Sequence, residues 1–391
     1  MGFYSEYLDR NFNFPDLSAE RKTQLRRISE VRDGRDILVY AADLDKQGAP
    51  VSLNYGDLLP INDQLSNLSG AALDLIIETP GGSGEVAEDV VRLLRAKYQD
   101  VAVIVPGWSK SAGTMIVMAA DDILMGPASA IGPIDPQINL QGKQFSVDAL
   151  LDGFEKIKKE VVDTGNLNKA YIPMLQGISP GELQAASNQR NFAKELVTES
   201  LRKYKFRQWT NHRSDGRVVT DQERRDQAEA IANELRNHNR WLTHGRSIKI
   251  ADLESLGLRI TDYSKQPKLA EAIGRYYVLL QMTFATNIYK VIETPSSQIY
   301  RFMVPQGGAM RQLAPTAQQQ QAQMADVELE CSSCHTKSKV QANFGQARTL
   351  RPGYAAFPQD NKFHCPQCGT MIDLADLRRQ LESQAKQPIV A

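Results

Sequence analysis

Three short apolar runs, each closed by glycine or proline and separated by helical stretches, restrict this chain more than any other feature. They are "ALDLIIETPGG", "DVAVIVPGW" and "DDILMGP", with the amphipathic "GEVAEDVVRLLRAKY" after the first and "SKSAGTMIVMAA" after the second. Strand, helix, strand, helix, strand at these lengths demands right-handed crossovers and a mostly parallel sheet buried on both faces. An earlier run, "DILVYAADL", adds a strand, and "YGDLLPINDQLSNL" reads as a helix. The expected fold class is therefore α/β.

The charged opening "SAERKTQLRRISEVR" puts Leu25 and Ile28 at helical spacing, so residues 1–34 are expected to be a helical segment. From Ser146 to about Tyr289 the pattern turns helical, in "SVDALLDGFEKIKKEVV", "SPGELQAASNQRNFAKELVTESLRKY" and "DQERRDQAEAIANELRNH", with an extended "RSIKI" between helices. The main domain is assigned to 35–304. Residues 305–326, rich in Gln, Ala and Pro, read as a linker, and 327–391 as a small module with a C-terminal helix.

All four cysteines fall in that module, as Cys331-Ser-Ser-Cys334 and Cys365-Pro-Gln-Cys368. Four thiolates in two such pairs suit tetrahedral Zn(2+), so a structural zinc ribbon is expected, with the metal supplying much of the module's folding free energy. His335 and His364 adjoin the pairs and are read as bystanders. No cysteine remains to staple the main domain, which fits a reducing compartment.

Lys and Arg together number 46 and so do Asp and Glu, leaving no global field for nucleic acid or anionic lipid. Nucleic-acid binding is expected nowhere except through the ribbon. No apolar run is long enough to span a membrane, the opening residues lack a signal-peptide core, and a cytoplasmic location is expected.

Ser111 stands where the strand "VAVIVP" turns into a helix. The plain reading of a serine there is an N-cap. Against it stands the Pro80-Gly81-Gly82 turn, which ends the neighbouring strand at the same sheet edge, where α/β sites form. Backbone amides from two turns converging on one hydroxyl make an oxyanion hole beside a nucleophile.

On "ETPGGSGEVAEDVVRLLR", "VPGWSKSAGTMIVMAADDILMGPASAIGPIDPQ" and "HGRSIKIADLESLGLRITDY", the chain resembles the Clp-peptidase/crotonase superfamily over roughly residues 35–290. Within it the closest resemblance is to the serine dehydrogenase proteinases, relatives of signal peptide peptidase A. This resemblance implies a Clp/crotonase-like spiral of ββα units with a helical C-terminal portion, assembly into homo-oligomers, Ser111 as nucleophile, and oxyanion amides at Gly82 and Ala112. The segment that carries the general-base histidine in the Clp proteolytic subunit is here "SAIGPIDPQ", which offers Asp135 instead; near the position of the Clp acid stands His244. An exchange of the two roles gives a triad of Ser111, His244 as base and Asp135 orienting the imidazole. The rival base is a lysine, with Lys169 lying roughly where signal peptide peptidases place theirs and Lys194 behind it. Lys110 is expected to point away from Ser111, adding positive potential or an intersubunit ion pair.

The leading expectation is a cytoplasmic, ATP-independent serine peptidase working through an acyl-enzyme on peptide or protein substrates. Two readings compete: a crotonase-like acyl-CoA enzyme, and a non-catalytic oligomeric scaffold with a zinc-ribbon binding module. No G-x-G-x-x-G follows a strand, so a nucleotide-dependent dehydrogenase is discounted.

Overall fold

The computed structural model describes residues 2–140, 143–212, 215–303, 324–385 and 387–390, and falls into two compact units, 1–308 and 309–391.

In the first unit α1 (Phe3–Asp9) and α2 (Phe14–Val31) precede β1 (Asp36–Ala42) and α3 (Leu58–Ser66). Then follow β2 (Ala72–Glu78), α4 (Gly84–Lys97), β3 (Asp100–Val105), α5 (Ala112–Met118) and β4 (Asp122–Met125). The helical portion comprises α6 (Val147–Thr164), α7 (Pro180–Ser200), α8 (Asp221–Arg236) and α9 (His238–Trp241). The chain returns to the sheet with β5 (Thr261–Asp262), α10 (Pro267–Phe284), β6 (Ile288–Glu293) and β7 (Gln298–Phe302).

These strands form one seven-stranded sheet in the order β7-β6-β1-β2-β3-β4-β5. The five from β1 to β5 are parallel, as the strand–helix alternation requires. At one edge β6 and β7 run antiparallel. That hairpin, in "NIYKVIETPSSQIYRF", has only a short turn between its arms and no crossover helix, so the helical trend expected up to Tyr289 gives way to strand at Ile288.

Alternation along the strands builds two cores. Leu38, Tyr40, Leu75, Ile77, Val103 and Val105 face α3, α4, α5 and the helical portion. Ile37, Val39, Ile76, Ala102 and Ile104 face Leu25 and Ile28 of α2 and Leu269, Ile273 and Tyr276 of α10. The opening helix is thus a layer of the first unit, and it is pinned there by Arg21, which makes a fully buried ion pair with Glu293 at 2.9 Å.

The second unit pairs Met324–Glu330 with Lys337–Phe344 in an antiparallel ladder and ends in a helix, Ala375–Ala385. Met324, Ala325 and Asp326 already belong to that ladder. The expected linker 305–326 therefore loses its last three residues to the sheet, and the rest of it lies outside the described residues. Among the described residues no helix is long and apolar enough to cross a membrane.

Candidate active site and cysteine cluster

The turn between β3 and α5 is strained where chemistry would use it. Ser111 has φ 51° and ψ −117°, a left-handed conformation that costs a non-glycine residue about 1–3 kcal/mol. Its side chain makes no capping hydrogen bond. A serine retained for capping would keep extended backbone angles and bond a first-turn amide, as Ser83 does for Val86 at the start of α4. Strain without a cap is the signature of a nucleophile presented on a sharp strand-to-helix turn.

The Pro80-Gly81-Gly82 turn lies directly against this serine. A Cβ on Gly81 would stand 2.6 Å from Ser111 Cβ, 2.7 Å from the Lys110 carbonyl and 3.2 Å from the Ala112 nitrogen. Gly82 is fixed from the other side by Leu53, whose N–H donates to the Gly81 carbonyl at 2.7 Å and whose carbonyl accepts from Ser83 at 3.0 Å. A Cβ on Gly82 would overlap that backbone at 2.3 Å, so only glycine fits. Among the described residues the N–H groups of Gly82 and Ala112 donate to no protein acceptor. Unpaired amides on two turns that meet at one serine are donors of the kind an oxyanion hole requires.

A small set of backbone pairings joins the segments that carry the other candidates to the one that leads into Ser111. Trp108–Ser109 runs parallel to Ala130–Ile131, and Ile131 in turn exchanges hydrogen bonds with Ile248 at 2.9 and 3.1 Å. The segments bearing Ser111, Asp135 and His244 are thereby laid side by side. Asp135 is 1% exposed and meets His244 Nδ1 through Oδ1 at 2.7 Å. Its Oδ2 accepts from Gln137 Nε2 at 2.9 Å and lies 3.3 Å from His238 Nδ1. The Nε2 of His244 and the Oγ of Ser111 have no hydrogen-bond partner among the described residues. Sequence reasoning missed His238, which looked like one polar helix residue among several. Its signal was its spacing of six residues before His244 across a helical corner, too weak to read without coordinates.

The lysines are placed differently. Lys169 is exposed at the start of the short turn Lys169–Tyr171, without the burial a neutral catalytic lysine requires. Lys194 pairs with Glu229 at 2.6 Å. Lys110, expected to point away from Ser111, sets its ammonium against Arg246 O at 3.1 Å and Ser247 Oγ at 3.2 Å.

Beneath the glycine turn sits Glu78, 1% exposed at the end of β2. It accepts from the Trp108 N–H and the Tyr277 hydroxyl, both at 3.0 Å. Burial pushes its carboxyl up to about 7, against the pull of those donors.

In the second unit Cys331, Cys334, Cys365 and Cys368 carry free thiols whose sulfurs all lie within 4.8 Å of one another. The sulfurs of Cys331 and Cys368, and of Cys334 and Cys365, are 3.6 Å apart. Thiolates about 2.3 Å from one tetrahedral ion would stand roughly 3.8 Å from each other, so the donor set fits a metal. The two knuckles are copies: the residue after each second cysteine is left-handed, His335 at φ 56° and Gly369 at φ 72°. Each gives its N–H to the carbonyl of the first cysteine. His335 is therefore a turn residue with an outward ring, 79% exposed, and His364 is exposed too.

A parallel sheet with a strained serine against a glycine turn is a ClpP-like α/β fold. Residues 66–222 match the family model of ClpP-like SDH-type serine proteinases. The match includes Gly82, Ser111, Ala112, Asp135 and Lys169 and stops before His244. Two proteins of Methanocaldococcus jannaschii are similar: the uncharacterized protein MJ0137, 29% identical over 38% of this chain and 48% of its own length, and the uncharacterized protein MJ1495, 32% identical over 27% and 36%. The chain thus spans less than half of the length of these curated relatives. A solved ClpP1 variant from Listeria monocytogenes aligns at 16% identity over 44% of this chain and 75% of that one, with a TM-score of 0.25, which adds nothing to the family match.

Proposed function

We propose that this protein is a serine peptidase in which Ser111 attacks the scissile carbonyl, His244 takes and returns the proton, and Asp135 fixes the imidazole. The observation that carries this reading is the 2.7 Å contact between His244 Nδ1 and the buried Asp135 carboxylate, which leaves Nε2 as the basic nitrogen. The negative oxygen of the tetrahedral intermediate would be held by the N–H groups of Gly82 and Ala112, giving an acyl-enzyme that water then resolves. Lysine as base is disfavoured by the exposure of Lys169 and the ion pair of Lys194.

The same reading takes residues 35–304 as the peptidase domain, acting on peptides without ATP in a cytoplasmic setting, and takes it to assemble as a homo-oligomer because the family resemblance implies that. It takes 327–391 as a ribbon that binds Zn(2+) through Cys331, Cys334, Cys365 and Cys368, supported by the sulfur spacing and the absence of disulfides among the four. The metal's part is structural.

A fluorophosphonate probe tests the reading. Covalent labelling of the purified protein that vanishes in Ser111→Ala, with the circular dichroism spectrum preserved, is the expected result. An acyl-CoA enzyme or a scaffold would leave the wild type unlabelled.

A further inference from the structure

Lys110 precedes the strained serine, and its side chain does something the sequence did not announce. The Nζ lies 3.1 Å from Arg246 O, 3.2 Å from Ser247 Oγ, and 3.4 Å from both Gly245 O and Ile131 O. Three of those four acceptors belong to the residues immediately after His244. The stem crosses Gly132, where a Cβ would come within 2.8 Å of Lys110 Cδ, so glycine there leaves the stem its path. Among the described residues no carboxylate pairs with this ammonium.

The position is an expensive one for a positive charge. It is half-buried, it sits before a helix N-terminus whose positive dipole end disfavours a cation, and the nearby Lys249 ammonium opposes it. Lys249 itself donates to the carbonyls of Ala128 and Ser129, at 3.0 and 2.9 Å. An apolar side chain over Gly132 would avoid every one of these costs. What only a cation gives is a multi-point, charge-assisted grip on neutral carbonyls.

We propose that Lys110 is a positioning residue that latches the loop carrying His244 onto the turn carrying Ser111. The inference rests on the reading of Ser111 and His244 as nucleophile and base. It deepens that reading, because no backbone hydrogen bond ties residues 244–247 to residues 110–112 among the described residues. The nearest backbone tie is the Ile131–Ile248 bridge. With the latch closed, the covalent neighbours of both reacting side chains are held to one ammonium.

Burial, followed by the charge of Lys249, lowers the Lys110 amine to about 8. The charged group that acts on it is Lys249, and its other neighbours are neutral: the carbonyls of Ile131, Gly245 and Arg246 and the Ser247 hydroxyl. The charged, gripping form therefore dominates below that pH, and the grip slackens as pH rises through it.

The test reads hydrogen exchange and kinetics together. In Lys110→Met, amide exchange over residues 245–249 rises at least tenfold while β1 to β4 keep their protection, and kcat falls tenfold or more with KM within about twofold. Lys110→Arg restores both and carries the alkaline fall of kcat above pH 9, since a guanidinium stays charged. Unchanged exchange over 245–249 in Lys110→Met overturns the latch, as does an alkaline limb that Lys110→Arg leaves in place. Should the methionine variant misfold, Lys110→Gln, which keeps a donor and removes the charge, gives the same exchange readout. A wild type that the fluorophosphonate fails to label sinks the peptidase reading instead, and the exchange result still decides the latch.

Discussion

His244 and Asp135, 109 residues apart in sequence, meet at 2.7 Å, the carboxylate buried and the imidazole about a quarter exposed. A hidden carboxylate holds one ring nitrogen, and the other has no hydrogen-bond partner among the described residues. The pairing is made possible by Ile131, which joins the strand beside Ser111 to the strand before Lys249.

Asp135→Asn should lower kcat by roughly 10³- to 10⁴-fold, because an amide supports the wrong imidazole tautomer, while KM changes little. His238→Ala should cost far less, on the order of 1 kcal/mol, since its contact to Oδ2 is the longer one and Gln137 holds the same oxygen. Steady-state kinetics on a fluorogenic peptide measures both. Equal losses would mean that the two histidines share the base role.

Gly81→Ala should abolish labelling of Ser111. The residue has φ +98°, where an alanine costs about 1–3 kcal/mol in backbone strain, and the new methyl would overlap Ser111 Cβ. Probe labelling and the melting temperature report the two effects separately. An alanine variant that labels at the wild-type rate would show that the turn is not packed on Ser111.

Stability should fall between about pH 4.5 and 7, in part through Glu78. Its carboxyl keeps its proton up to about 7 in the fold and releases it near 4.5 in the unfolded chain. Between those values the folded state binds more protons, so stability drops as pH rises. Glu78→Gln should remove about 3 kcal/mol of that pH-dependent change across the window. Melting curves at several pH values check it, and an unaltered slope would refute the assignment.

Chelation should unfold the cysteine-bearing unit alone. Its core is small, centred on Val340, Phe344, Phe357 and Leu374, and the metal would have to supply most of its folding free energy. Two calorimetric transitions are expected, of which only one responds to chelator or to Cys365→Ser. A single transition insensitive to both would remove the metal's structural role.

Much of this molecule was legible because its signals are local. The apolar runs of 72–78, 100–105 and 122–125 and the helices between them declare a parallel sheet, since both faces of each strand must be buried. The paired cysteines declare their own proximity through spacing. The β6–β7 hairpin escaped because its strands follow a long helical stretch and alternate only weakly, with no crossover helix to frame them.

The sequence by itself determined which residues line up along each strand and where the chain must turn, because burial and backbone freedom act between near neighbours. Only the tertiary structure decided that Asp135 carries two histidines, that Ser111 is strained and uncapped, and that Lys110 reaches the loop after His244. Those contacts join segments far apart in the chain, and their geometry follows from how the sheet and the helical portion pack rather than from any spacing along it.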